Sequence, residues 1–282
     1  MQKYAAITMD VEDWYTNDYF LECKGTDPNY HMLDGLDVLL QILSDNQIPA
    51  TFFTLTEVLG MVGRQLREAE NMGSEVAVHG YTHNRPLTME IEEFRGQLVK
   101  AKRIIEDCAG HEVIGYRAPT YGIDDDRLEV VRSLGFKYDS SKVAHSLNPH
   151  YGELRLPGFT EVQRNVWKND GFCEFGISTQ DFLGKHLPIG GGYIRMLPWS
   201  FNLHQLRRYI SDGSFYILYI HPFELSSKAV PKVQDARLTD KIRANTGRKG
   251  CDRKIQKIID LLKDRGYEFV TLGGLREKVL TM

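Results

Sequence analysis

Cysteine is scarce in this chain of 282 residues. Cys23, Cys108, Cys173 and Cys251 are scattered, and no two form a C-x-x-C pair. That spacing excludes a zinc ribbon and a disulfide-built fold, so four reduced thiols are expected. Long apolar runs are missing too, which excludes a membrane-spanning helix. No G-x-G-x-x-G or G-x-x-x-x-G-K-[ST] stretch marks a nucleotide fold. Charge of one sign is not in excess: the formal balance is −3, which supplies no general field for nucleic acid. Met1 to Ile7 runs directly into a strand pattern with no leader-like segment ahead of it. The cytoplasm is therefore the expected location, with contact at the inner membrane left open.

An apolar fraction of 42% can supply a sizeable core. The length suits one α/β barrel, and a single domain over 1–282 is expected. Asp34 to Gln47 carries Leu36, Leu39, Leu40 and Leu43 at helical spacing. Ile48 to Leu55 reads as a buried strand, and Thr56 to Met72 as a second helix. Thr88 is the expected N-cap of a third helix, striped by Ile91, Phe94, Leu98, Ala101, Ile105 and Cys108. Helix–Gly–strand junctions recur at Gly73, Gly135 and Gly266, where glycine fits the left-handed closing position. Repeated βα units imply a parallel sheet. Candidate ligand residues at the C-terminal ends of several strands favour a barrel.

The stretch from Tyr151 to Pro198 breaks the rhythm, being rich in Gly, aromatic and polar residues. It is expected to be an irregular insertion over the barrel mouth. Within it, Gly190-Gly191-Gly192 lets backbone approach a ligand closely or forms a mobile loop, and sequence does not separate the two. The basic residues Arg237, Lys241, Arg243, Arg248, Lys249, Arg253, Lys254 and Lys257 read first as a solvated helix face. Contact with phosphate or an anionic membrane surface is the alternative.

His79 and His83 carry the most chemistry. They end the strand-like stretch 73–78, and Asp10, Glu12 and Asp13 end another near the N-terminus. Imidazole nitrogens and one carboxylate suit a divalent transition metal with an open position. Acidic and imidazole clusters at strand ends suggest a hydrolytic metal centre, whereas His79 and His83 alone would equally suit a surface.

In their order along the chain, the motifs resemble the polysaccharide deacetylase family, carbohydrate esterases with a NodB-like domain. Asp10-Val11-Glu12-Asp13-Trp14 is similar to the first family motif, and His79-Gly80-Tyr81-Thr82-His83 to the second. Arg117-Ala118-Pro119-Thr120-Tyr121 resembles the third, and Tyr138-Asp139-Ser140-Ser141 falls where the fourth is expected. Leu218-Tyr219-Ile220-His221-Pro222 resembles the fifth. The resemblance implies Asp10 as general base, His221 as the catalytic histidine, and His79 and His83 as metal ligands with a second acid. The family's Asp-x-Asp variant makes Glu12 that acid, while Asp13 fits equally. Gly80 departs from the usual Ser or Thr. Asp-Val-Glu-Asp-Trp, Gly-Gly-Gly-Tyr-Ile-Arg and His-Pro-Phe-Glu resemble the branch found with bacterial surface-polysaccharide biosynthesis.

Physical chemistry assigns parts within that resemblance. Arg117 is a candidate to pair with Asp10 and keep it ionised. His221 can protonate a departing amine, with Asp139 or Glu224 as candidates to tune it. Pro119, Tyr121 and Tyr193 are candidates for sugar contact, while Trp199 reads as core. The expectation is a distorted (β/α)7-type, NodB-like barrel holding a divalent metal ion, zinc first. It would remove the N-acetyl group from an amino sugar, nucleotide-linked or lipid-linked, in surface-polysaccharide assembly. The rivals are a deformylase or cyclic-amide hydrolase on the same fold, and a catalytically silent carbohydrate-binding protein.

Overall fold

A computed structural model describes residues 2–17, 20, 23, 27, 29–144 and 151–282. Its strands are β1 Lys3–Val11, β2 Ala50–Leu55, β3 Glu75–Gly80, β4 Gly115–Tyr116, β5 Tyr138–Asp139, β6 Thr160–Gln163, β7 Val166–Asn169, β8 Phe172–Phe175, β9 Thr179–Phe182, β10 Lys185–Pro188, β11 Tyr216–Ile220 and β12 Tyr267–Phe269. The helices are α1 Gly35–Asn46, α2 Thr56–Asn71, α3 Ile91–Ala109, α4 Asp125–Ser133, α5 Gly191–Met196, α6 Trp199–Tyr209, α7 Pro222–Leu225, α8 Leu238–Asn245, α9 Cys251–Asp264 and α10 Leu272–Leu280. Among the described residues no helix is long and apolar enough to cross a membrane.

Seven strands run parallel in the order β11-β1-β2-β3-β4-β5-β8. This is the expected distorted seven-stranded barrel, and it is incomplete. No ladder joins β8 to β11 among the described residues. Ser178 spans that gap: its Oγ accepts from the Ile217 N–H and its carbonyl from the Ile189 N–H. One expectation needs correcting. The stretch from 151 to 198 is not only an insertion, because β8 within it is the seventh barrel strand. Its four residues, reached through β6 and β7 without an intervening helix, carry too little periodicity to stand out.

Strand alternation sorts the core into two layers. Ala5, Ile7, Met9 and Val11 of β1 join the large cluster that packs against the helices. Tyr4 and Ala6 face the barrel interior, with Phe53, Ala77, Tyr138, Phe175 and Ile217. Each fully buried Val, Leu, Ile, Phe or Met side chain among them stabilises by about 1.5–3 kcal/mol. Leu272, Leu275 and Val279 of α10 share the inner cluster. Beside them Glu75 is sealed by Tyr138 Oη, Thr51 Oγ1 and the Gly273 N–H. Burial raises the Glu75 carboxyl above its ordinary value despite those donors.

Gly73, Gly135 and Gly266 close their helices at φ of 89°, 84° and 74°, as their positions predicted. Thr88 is not the N-cap of α3. Its Oγ1 donates to Arg85 O in a short turn, and Glu90 occupies the cap, with Glu92 and Glu93 in the first turn. Ile91 accordingly lies outside the buried stripe, at 38% exposure.

Candidate active site

The alternation that builds the core also aims the chemistry. Tyr4 and Ala6 point inward, so Thr8 and Asp10 do as well. On β3, Val76 and Val78 belong to the outer layer, which turns Ala77 and His79 inward. Ile217 and Tyr219 of β11 put His221 on the same side, and Arg117 follows the outward Tyr116. Asp10, His79, Arg117 and His221 thus meet at the C-terminal rim, where parallel barrels place reactive groups.

Glu12 reaches this point through a tight turn after β1, its N–H donating to Asp10 O. Glu12 Oε2 lies 2.6 Å from His83 Nε2 and 3.6 Å from His79 Nε2. These donors sit within 4.8 Å of one another, and all three residues are buried. His79 Nδ1 donates to Arg117 O at 2.9 Å, which leaves Nε2 without a proton and free to bind a cation. Glu12 Oε2 is buried and takes no hydrogen bond of good geometry, despite its closeness to the rings. Burial would raise the Glu12 carboxyl, but His83, His79 and His221 outweigh it and hold the group well below the usual carboxylate range. An ionised carboxylate and two imidazole nitrogens suit a divalent transition metal.

Asp13, the other candidate ligand, is turned away. Its Oδ1 accepts from the Trp14 and Met32 N–H groups, and its Oδ2 meets His31 Nδ1 at 2.7 Å. One residue of backbone reverses the side-chain direction, so only one of two neighbouring acids can face the histidines.

Arg117, fully buried, binds Asp10 Oδ1 through Nη1 at 2.6 Å. The fourth-motif serines hold it: Nε donates to Ser140 O and Nη2 to Ser140 Oγ. Ser141 Oγ accepts from the Ala118 N–H. The guanidinium also stacks 4.0 Å above the Phe53 ring. Tyr121 Oη approaches Asp10 Oδ2 at 3.5 Å. Burial and the Asp10 charge push the Tyr121 hydroxyl well up, so it stays a donor. Thr120 and Tyr121 both adopt φ of 55°, a left-handed conformation costing about 1–3 kcal/mol at each non-glycine residue.

His221 Nε2 lies 3.9 Å from Asp10 Oδ2 and 3.8 Å from Glu12 Oε1. Its Nδ1 meets Glu224 Oε2 at 3.1 Å, and Glu224 Oε1 accepts from Arg195 Nε at 2.8 Å. Burial works against the charged ring, but Glu224, Glu12 and Asp10 prevail and raise it to about 9. Glu224, not Asp139, is therefore the tuning acid. Asp139 faces the outer side of β5 and pairs in register with Glu174. Burial raises both carboxyls, Glu174 well above normal with Asp139's charge adding to it, and Asp139 to about 6. Arg195 and Glu174 were not singled out from sequence. Arg195 had a signal, as it ends the Gly-Gly-Gly-Tyr-Ile-Arg stretch; Glu174 had none.

Residues 31–138 match the family model described as Polysaccharide deacetylase. Over that segment the chain is similar to polysaccharide deacetylases. Residues 140–273 match a model described as a Domain of unknown function (DUF3473). The deacetylase model thus covers His79, His83 and Arg117, and the second covers Arg195, His221 and Glu224. The sheet is continuous across the boundary. A peptidoglycan deacetylase of Helicobacter pylori is 30% identical over 117 residues, 42% of this chain and 40% of that protein. A peptidoglycan deacetylase-like protein of Gibberella zeae is 32% identical over 125 residues, 44% of this chain and 37% of that protein. The matched segment thus spans about two-fifths of these curated relatives. A Mycobacterium smegmatis protein described as a polysaccharide deacetylase shares the fold at a TM-score of 0.66 and 19% identity, covering 100% of this chain and 92% of that one. So does a CE4 family pseudoenzyme from Bacillus anthracis, at 0.56 and 16%, covering 98% of this chain and 66% of that one.

The site opens into a cavity of about 480 Å³ lined by Asp10, Glu12, His79, His83 and His221. Tyr121, Tyr193, Tyr151, Tyr219 and Arg243 complete much of its wall. Tyr121 and Tyr193 therefore stand where sugar contact was expected. Pro119 does not line the cavity. It lies behind the wall, its Cγ 3.3 Å from where a Gly80 side chain would begin. Gly80 itself holds φ of 126°, a conformation that disfavours the Ser or Thr usual there. Gly192 lines the cavity, and its two neighbours have a further use. A Cβ at Gly190 or Gly191 would fall 2.6 or 2.4 Å from the Tyr219 ring, so these residues let α5 pack flush on β11. Trp199 packs partly buried against the core, as expected, and Trp14 is fully buried. Five of the eight basic residues are exposed, as a solvated face predicts, but Arg248 and Lys254 are not part of it. Arg248 donates to the carbonyls of Phe223, Ser226 and Lys228, and Lys254 to those of Ile194, Arg195 and Leu197.

Proposed function

We propose that this protein is a metal-dependent N-deacetylase acting on an acetylated amino sugar in the cytoplasm, at an intermediate of surface-polysaccharide assembly. The observation that carries the reading is one cavity containing a three-donor cation site, a carboxylate pinned by arginine, and a raised imidazole. A pseudoenzyme shares the fold, so the reading rests on these side chains and not on the likeness.

A divalent cation held by Glu12, His79 and His83 would supply Lewis acidity, making water nucleophilic near neutral pH and polarising the acetyl carbonyl. Asp10 takes the proton of the attacking water on Oδ2, because Arg117 occupies Oδ1. His221 is positively charged at neutral pH and holds Glu224 through Nδ1, so its Nε2 proton goes to the departing amine nitrogen. Tyr121 steadies Asp10, and the surrounding tyrosines offer ring faces to the sugar.

The test is acetate release from a panel of N-acetylated nucleotide sugars, lipid-linked sugars, chito-oligosaccharides and peptidoglycan, beside formylated and cyclic amides. Asp10→Asn should lower the rate by about 10²–10⁴-fold while zinc binding persists. Equal release by wild type and variant overturns Asp10 as base. Calorimetric zinc titration sharpens the metal assignment. Glu12→Gln should weaken binding by more than about a hundredfold, and Asp13→Asn should leave it unchanged.

A further inference from the structure

Helix α8 presents an uncovered apolar pair. Leu238 and Ile242 stand four residues apart on one face, 72% and 56% exposed. With Leu183 they are the most exposed large apolar side chains among the described residues, and only Ala244 of the helix is buried. The helix is nonetheless firmly attached. Arg195 donates through Nη1 to the carbonyls of Arg243 and Thr246 at its C-terminal end. The Arg195 carbonyl also sits 1.9 Å from where a side chain at Gly247 would begin, so only glycine fits. The apolar face is therefore held outward by the same arginine that orients Glu224.

Charge around this face is one-sided. Residues 231–250 contain six basic and two acidic side chains, in a chain whose net charge is −3. Of the six, Arg248 is spent on backbone carbonyls. Arg237 precedes Leu238, Lys241 precedes Ile242, and Arg243 lines the cavity with Tyr193 and Met196. The only ion pair of Arg243 among the described residues is a loose one, 3.8 Å from Asp240. An apolar pair set among cations is the pattern of a helix lying at a lipid–water boundary. A protein partner would more often meet an apolar centre depleted of charge.

We propose that α8 docks on an anionic lipid surface, with Leu238 and Ile242 in the headgroup boundary and Arg237 and Lys241 against headgroup phosphates. Docking there turns the cavity mouth, through Arg243, toward a sugar borne on a phospholipid-like carrier. The docking stands without the deacetylase reading; the lipid-borne substrate rests on it.

The experiment uses the full chain. Flotation with phosphatidylglycerol vesicles should carry the wild type, and flotation with phosphatidylcholine vesicles should not. The double variant Leu238→Ser/Ile242→Ser should lose about tenfold in partition to anionic vesicles. Its acetate release from a soluble substrate should be unchanged, and from a lipid-borne N-acetylated sugar in those vesicles about tenfold lower. A wild type that stays off both vesicles overturns the proposal, as does a double variant that floats like wild type. Equal flotation on neutral vesicles overturns the anionic surface. A dimer seen by light scattering and dissolved by the double variant, without vesicle binding, assigns the face to a second copy instead. Vesicle binding with no acetate release from any substrate would leave the docking standing and sink the deacetylase reading.

Discussion

Two fully buried arginines flank the site, and they serve different groups. Arg117 touches Asp10 directly at 2.6 Å, stacked on Phe53 and clamped by Ser140. Arg195 touches no reacting group. It holds Glu224, which holds His221, and it ties both to the end of α8. On one arm the cation meets the base itself. On the other, a carboxylate stands between, so that the histidine becomes more basic. A cation placed against His221 would have driven the proton off; Glu224 converts the positive arginine into support for a positive ring.

Breaking the base arm should have the largest effect. Arg117→Met leaves Asp10 buried beside no guanidinium, and should destabilise by about 3–5 kcal/mol in urea denaturation. Pairing it with Asp10→Asn should recover much of that loss, since the stranded charge is gone. No recovery would show that Arg117 acts mainly through Ser140 and Phe53.

Breaking the acid arm at Glu224 should be milder and dependent on pH. His221 is raised to about 9, with Glu224 its main raising influence. Its acid form, and the stability it lends, are complete below the unfolded value of about 6.5 and fade as pH rises through about 9. Glu224→Gln should therefore pull the alkaline fall in activity toward 6.5, costing about tenfold at pH 8 and little at pH 6. A pH–rate profile that keeps its shape would remove Glu224 from this role.

The smallest effect is expected at Arg195. Arg195→Met leaves Glu224 its contact with His221, so kcat should fall by only about a few fold with KM unchanged. A fall in kcat as large as that of Asp10→Asn would mean the two arms are equally direct.

Legibility followed the same division. Asp10, His79, Arg117 and His221 could be picked out because each lies at a strand end or one step past it, and His83 because it follows three residues after β3 in the same motif. Tyr121 was visible because it belongs to the same short motif as Arg117. Arg195 was hidden because its partner lies 29 residues on, across α6 and β11. Pro119 was misplaced because the two left-handed residues after it turn Tyr121, and not the proline, into the cavity. β8 was missed because four residues between turns look the same in a loop and in a barrel.

The repeated βα units, most of the helical stripes and the candidate chemical groups were legible in the sequence, because they show as periods of two and 3.6 residues or as short motifs within local windows. The choice of Glu12 over Asp13, of Glu224 over Asp139, and the task of the glycine run were decided only by tertiary structure. In each case the neighbouring candidates are chemically alike, and what separates them is direction. A backbone turn sends Glu12 to the histidines, strand parity sends Asp139 away from His221, and the Tyr219 ring occupies the space over Gly190 and Gly191. Directions of that kind are set by contacts between residues far apart in the chain, which no local pattern records.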